Sequence, residues 1–403
     1  MNDGSAPTTG VIDEVADGLA RYATRHVPYY RDAVPGPVSG LSDLPVLDKR
    51  EVRGSEERFI ADGVVVADLL SQTTSGTTGM PLRRFYLPAE GARAGMVLWR
   101  ARRWYGVTAP RLPSCRFFSD PDGIGPVAVR DGVLSLSVRD LSDSAFASYH
   151  EALHEHRPVW LQVVPSVAAR FCQWMADHGL SGPDSVRLVE LNSEATLATD
   201  GRVIERAFPN ARLADHYGSK ETWCVSYQCQ QGGRHVMTDS VLVEVLTDDG
   251  RLADFGTGDL VVTSRLFRAM PLLRYRLGDR VTVGPGPCRC GREGPLLERI
   301  EGRIAEYAVG DGGEPVYQTY FDIGVRQLME RWPGSVRRYQ FVQTGSTLEA
   351  VLEPGPGWAG EAAQRLDRYL RSTFSGSEIR IVTRPIPDIP DRKFRSVLSD
   401  RVS

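Results

Sequence analysis

Three apolar runs, at residues 159–164, 186–191 and 211–215, constrain this chain more than any other feature. Each has the length of a buried strand rather than of a helix. The first is followed by Pro165-Ser166 and then by apolar residues at helical spacing through Phe171 and Met175. The second leads into Asn192-Ser193-Glu194. The third follows an expected helix over 200–208 and leads into His216-Tyr217-Gly218. Strand, loop and helix in alternation predict a mainly α/β domain. In such sheets the loops at strand C-termini carry the ligands.

The flanking segments read differently. Residues 11–24 have helical spacing, and 83–87 is an expected strand. Pro88 stands at the first position of a helix expected to reach about residue 105. After residue 235 the pattern becomes hairpins: 241–247 and 260–264 flank Asp248-Asp249-Gly250, and 270–283 is strand-rich. From about 304 it changes again to a hairpin at 337–342 and 348–352 around Thr344-Gly345, a helix at 360–373 and a strand at 379–383. The expected fold is therefore a large N-terminal α/β domain with a β-rich subdomain, residues 1–303, and a small α+β C-terminal domain, residues 304–403.

Bulk properties exclude several classes. The 403 residues are 41% hydrophobic and 25% charged, which is ordinary for a soluble globular protein. A net charge of −3 gives no reason to expect a nucleic acid partner. No apolar run approaches membrane-spanning length and the N-terminus has no signal-peptide pattern, so a cytoplasmic protein is expected. Basic residues are nearly all arginine. Lysine occurs only at 49, 220 and 393, which makes each lysine worth locating.

Residues 71–79 hold six hydroxyl side chains and two glycines. Gly76 and Gly79 permit positive φ and close approach of a ligand. Successive N–H groups with hydroxyls from Ser75, Thr77 and Thr78 form a concavity suited to an anion. No Gly-Lys-Ser/Thr follows, so this is not a Walker A loop. A solvated Gly/Ser/Thr turn is the plainer alternative.

The loop is the first of five motifs in a fixed order. After Thr74-Ser75-Gly76-Thr77-Thr78-Gly79-Met80-Pro81 come Asp215-His216-Tyr217-Gly218-Ser219-Lys220-Glu221 and the segment Met270 to Asp279. Ile300-Glu301-Gly302-Arg303 and Asp391-Arg392-Lys393 complete the series. From about residue 20 to 400 this chain resembles the adenylate-forming (acyl-CoA synthetase-like) superfamily. Within it, His26-Val-Pro-Tyr-Tyr-Arg31, Leu44-Pro-Val-Leu-Asp-Lys49 and Cys288-Arg-Cys290-Gly-Arg292 resemble the phenylacetate–CoA ligase and capsule-biosynthesis branch.

The resemblance implies an ATP-dependent enzyme that converts a carboxylic acid, aromatic in this branch, to acyl-AMP and transfers it to coenzyme A. An amine or a carrier protein is the alternative acceptor, and a non-catalytic adenylate-binding protein a further one; a dimer is one alternative for the oligomeric state. It assigns Thr74, Ser75, Gly76, Thr77, Thr78 and Gly79 to the β- and γ-phosphates. Tyr217, Gly218 and Ser219 belong to the adenine motif, with Ser193 and Glu194 nearby. Glu221 helps hold Mg²⁺, a hard cation suited to an oxygen ligand. Asp279 accepts from the ribose hydroxyls. Arg303 opens the mobile C-terminal domain and Lys393 is the adenylation lysine. Two departures stand out: Gly302-Arg303-Ile304-Ala305-Glu306 lacks the family's hinge aspartate, and Lys220 replaces a small or apolar residue. Acid-pocket candidates are Trp104, Phe117, Phe118 and His216, which are equally suited to ordinary core.

Cys229-x5-His235 and Cys288-x-Cys290 offer three thiolates and an imidazole, a tetrahedral zinc set. Similar positions occur in the resembling branch, which implies a structural zinc. His150-Glu151-Ala-Leu-His154 fits a metalloprotease pattern. It leaves the five ordered motifs unexplained, so a solvated helix face is expected there.

Overall fold

The computed structural model describes residues 14–73, 82–118, 126–138, 140–303, 307–387 and 395–400. The Ser/Thr/Gly motif at 74–81, residues 304–306 of the expected hinge and Lys393 lie outside them. The described residues group into two compact units, each drawn from separated stretches of chain. Residues within 1–98, 218–226 and 235–299 form the first, and those within 99–217, 227–234 and 300–403 the second.

In the second unit the three apolar runs are the strands Trp160–Val163, Leu188–Asn192 and Arg212–Ser219, parallel neighbours in one sheet. Trp160 pairs with Leu188, and Leu188 with Arg212. The sheet continues through parallel Ser114–Phe118 and Val133–Ser137 to an antiparallel edge, Val127–Arg130. Helix Pro165–Asp177 begins at a proline, whose fixed φ suits a first helical turn. Its Ala168, Phe171, Cys172 and Met175 form one buried face and meet Leu161, Val163, Val189 and Leu191 of the sheet. Helix Ala198–Ala207 takes the place expected for 200–208.

The same unit contains a four-stranded sheet of residues beyond 300, ordered Glu378–Thr383, Thr347–Pro354, Val336–Thr344, Val397–Ser399. The predicted hairpin is longer than its apolar core, because pairing runs from Thr344 opposite Thr347 to Val336 opposite Pro354. Helices Gln318–Arg331 and Gly360–Leu370 cover it, enclosing Phe321, Phe341, Leu348 and Leu366. Arg202 donates to the Met329 carbonyl at 3.1 Å, and Arg337 pairs with Asp177 at 3.2 Å, so this sheet is fastened to the helices of the parallel one.

The first unit is the β-rich part. Val241–Leu246, Gly256–Ser264 and Tyr275–Gly284 are consecutive antiparallel strands. The strand-rich stretch expected from 270 becomes a strand only at Tyr275. Arg274 has φ of 48°, and its guanidinium donates to both Glu244 carboxylate oxygens and to the carbonyls of Ser42 and Leu44. An arginine spent on four acceptors fixes an irregular backbone there rather than a ladder. Helices Glu14–His26 and Pro28–Ala33 pack alongside, and the buried Tyr30 hydroxyl accepts from Leu273 N and donates to Pro271 O. Among the described residues no helix is long and apolar enough to cross a membrane.

Candidate active site

Strand Arg212–Ser219 turns back into Trp223–Gln228 through Lys220-Glu221-Thr222. Ser219 Oγ accepts from the N–H of Glu221 and of Thr222 at 3.1 and 3.2 Å, which closes the turn. Gly218 is required here: a Cβ at that position would lie 2.0 Å from the Trp223 carbonyl oxygen. The turn buries the Glu221 side chain to 6% exposure. Two groups converge on its Oε1, Lys49 Nζ at 2.9 Å and the Tyr275 hydroxyl at 3.3 Å. Burial pushes the Glu221 carboxyl up, but the Lys49 ammonium and the surrounding hydrogen bonds outweigh it and hold it below the usual carboxylate range. Beneath the turn, fully buried Arg84 donates to the Glu221 carbonyl at 3.0 Å, and burial pulls its pKa down to about 10.

The same turn reaches the phosphate-loop candidate. Leu70–Thr73 and Arg83–Tyr86 form an antiparallel pair with Thr73 opposite Arg83; the candidates Thr74–Gly79 lie outside the described residues. Lys220 Nζ donates to the Thr73 carbonyl at 2.7 Å. The unusual Lys220 thus reaches the residue that immediately precedes the Thr74–Pro81 motif, from 147 residues away in sequence. Asp279 is buried in strand Tyr275–Gly284 of the same unit. Strand pairing and one lysine therefore gather a buried carboxylate, cations and the loop's base, an arrangement suited to a polyanion with a hard cation.

In the second unit, strand Leu188–Asn192 carries one charge among apolar residues, Glu190, and it is fully buried. Arg102 Nε and Nη2 grip its two oxygens at 2.7 and 2.8 Å. The Tyr227 hydroxyl donates at 2.9 Å and His216 Nδ1 lies 3.3 Å away. Arg102 itself lies over Trp160 at 4.1 Å and Trp99 at 4.9 Å, a face-on cation–π arrangement. Burial would raise the Glu190 carboxyl; Arg102 and His216 reverse this and keep it ionised. His216 and Trp104 both pack on Tyr227, at centroid separations of 6.0 and 5.9 Å.

The remaining predicted residues fall as follows. Phe117 packs in the hydrophobic core against Tyr149 and Phe171. Phe118 is placed here only by its backbone, opposite Ser137. Ser193, at φ of 73°, and Glu194 follow the end of the strand bearing Glu190. Tyr217 is half-buried on the strand leading into the turn, and Arg303 is exposed at the end of Leu296–Arg303. In the first unit the ligand atoms of His235, Cys288 and Cys290 lie within 4.8 Å of one another, with His235 Nε2 3.2 Å from Cys290 Sγ. Burial, then Arg292, hold His235 below its usual pKa, in the neutral form that binds metals. Cys229 is buried at the head of the turn leading to His235, where its N–H donates to Gly233 O. His150 and His154 both reach the Ser181 carbonyl at 3.0 Å, from a helix that ends at His156.

Sequence reading missed Lys49, Tyr275, Arg102, Glu190 and Tyr227 as parts of these clusters. Two signals were present. A glutamate inside an apolar strand needs a buried partner, and lysine is rare enough here that Lys49 stood out beyond its place in a motif.

No family model matches the chain. It is 27% identical over 374 residues to the phenylacetate-coenzyme A ligase of Thermus thermophilus, a match that covers 83% of this chain and 78% of that protein. Among solved structures, 2-hydroxyisobutyryl-CoA ligase in the postadenylation state superposes with a TM-score of 0.75 at 19% identity, over 96% of this chain and 88% of that one. The acyl acid amido synthetase in complex with 2,4-DB reaches 0.62 at 14% identity, over 93% and 87%. The chain is thus similar in sequence to a phenylacetate-coenzyme A ligase and shares its fold with the 2-hydroxyisobutyryl-CoA ligase and the amido synthetase.

Proposed function

We propose that this protein is an ATP- and Mg²⁺-dependent ligase of the phenylacetate–CoA ligase branch that activates an aromatic carboxylic acid as acyl-AMP and transfers the acyl group to coenzyme A. The observation that carries the reading is the bond from Lys220 to Thr73 O, which joins the base of the Ser/Thr/Gly loop to the turn holding Glu221. In the first half-reaction a carboxylate oxygen attacks the α-phosphorus and pyrophosphate leaves. In the second the thiol attacks the acyl carbon and AMP leaves. Thr74–Gly79 donate to the β- and γ-phosphates, Tyr217 packs on adenine beside Ser193 and Glu194, and Asp279 accepts from the ribose hydroxyls. Glu221 would hold Mg²⁺, which when bound offsets phosphate charge; a buried, ionised carboxylate fits that ion. Residues 304–403 form the lid that hinges at Arg303 and delivers Lys393.

His216 and Trp104, packed on Tyr227, are the proposed wall for the acid. Cys229, His235, Cys288 and Cys290 are the proposed zinc ligands, a tetrahedral donor set and the Cys/His group among the described residues that offers a metal three or more side chains. Purified protein with far less than one zinc per chain would remove that assignment.

The test is acid-dependent pyrophosphate release across a panel of carboxylic acids, followed by mass spectrometry for an acyl thioester once coenzyme A is added. Failure of every acid to release pyrophosphate would leave the non-catalytic alternative. Release without thioester would favour an amine or carrier-protein acceptor, a reading supported by the likeness to the amido synthetase.

A further inference from the structure

Lys49 is held in place by backbone pairing. Leu47 bridges to Tyr275, donating to Arg274 O and accepting from Arg276 N at 2.9 Å each. Asp48 then caps the short helix Lys49–Val52, accepting from Arg50 N while Glu51 reaches back to Asp48 N. The bridge thus sets Lys49 beside Tyr275, and both side chains end on Glu221 Oε1. Lys49 comes from 172 residues away in sequence to do this. Its side chain is 28% exposed, so the ammonium can leave, whereas that of Glu221 is 6% exposed and needs a counter-charge wherever Lys49 goes. Arg84, a second cation touching Glu221, donates to its backbone carbonyl rather than to its carboxylate.

We propose that Lys49 is a resident counter-cation that holds the Glu221 carboxylate while the site is empty and competes with the divalent metal for it, yielding Oε1 when metal and nucleotide bind. Lys49 is a positioning residue here: it keeps the carboxylate ionised and aimed without a metal, and sets how much nucleotide is needed to recruit one. The inference rests on the reading of Glu221 as a metal ligand.

The experiment is a titration of the full chain with Mn²⁺ in the presence of α,β-methylene-ATP, followed by electron paramagnetic resonance. Lys49→Met and Lys49→Gln should both bind Mn²⁺ about tenfold more tightly than the wild type, on the scale of ordinary site-to-site coupling. Lys49→Arg should match the wild type. Unchanged or weaker Mn²⁺ binding in the folded Met and Gln variants overturns the proposal. Glu221→Gln separates the two levels: if it leaves Mn²⁺ binding unaltered, the metal reading of Glu221 has failed and the proposal falls with it. If Glu221→Gln weakens binding but neither Lys49 variant tightens it, the proposal alone fails. A second readout needs no uncharged variant. With three lysines in the chain, reductive ¹³C-methylation gives three lysine signals beside that of the α-amine, and Lys49→Arg assigns the one from Lys49. The Lys49 signal should move when Mg²⁺ is added to the complex with the analogue, and a fixed signal refutes the exchange.

Discussion

Replacing Arg102 by Met tests the electrostatics of the second unit most directly. Glu190 has no exposure, and two of its four ligating contacts, at 2.7 and 2.8 Å, come from Arg102. Leaving one member of such a pair alone in the interior costs about 3–5 kcal/mol. Loss of the guanidinium over Trp160 and Trp99 adds on the order of 1 kcal/mol, partly recovered by apolar contacts of the methionine. The expected total is about 4 kcal/mol, read as a lower urea midpoint at unchanged m by circular dichroism and by tryptophan fluorescence. Glu190→Gln in the Arg102→Met background removes the stranded charge, so the double variant should be more stable than Arg102→Met alone. The pH dependence should also change sign. In the wild type the folded Glu190 pKa is depressed, so its stability is present above the unfolded value near 4.5 and lost as pH falls through the folded one. Without Arg102 burial dominates and raises the folded pKa, so the contribution is present at acid pH and lost as pH rises. A cost below about 1 kcal/mol, or a double variant as unstable as the sum of the singles, refutes this account.

Three further outcomes are expected. Burial raises the Asp200 pKa from 3.8 to about 7, so its contribution is complete below about pH 4 and is lost as pH rises to 7; Asp200→Asn should flatten thermal stability across that window, and an unchanged slope contradicts it. Gly218→Ala forces a Cβ onto the Trp223 carbonyl and should cost at least about 2 kcal/mol in urea unfolding, with no detectable pyrophosphate release. Lys393→Ala should cut pyrophosphate release about 100- to 1,000-fold at unchanged thermal stability. Wild-type release would remove Lys393 from the chemistry.

Much of the fold was legible because its signals are local. Strands of five or six apolar residues, prolines at helix starts and glycine in turns need only near neighbours to act, and the runs at 159, 186 and 211 became parallel strands in that order. The motifs were legible for the same reason, since Tyr217 through Glu221 runs from the end of one strand straight into one turn and its spacing is fixed by the backbone. The stretch at 270–283 was misread at its start because alternation there is interrupted by Arg274, whose acceptors lie some 30 and 230 residues away.

What the sequence by itself determined is therefore the alternation of elements, the order of the motifs and the chemical type of each group. Tertiary structure decided which of those groups meet. Glu190 meets His216 because register sets Asn192 opposite His216 on the adjacent strand. Lys49 meets Glu221 because one bridge at Leu47 and Tyr275 brings a distant lysine to a buried carboxylate. Neither pairing has a periodicity to betray it. Each exists because a charge removed from water must find its counterpart wherever the folded chain supplies one.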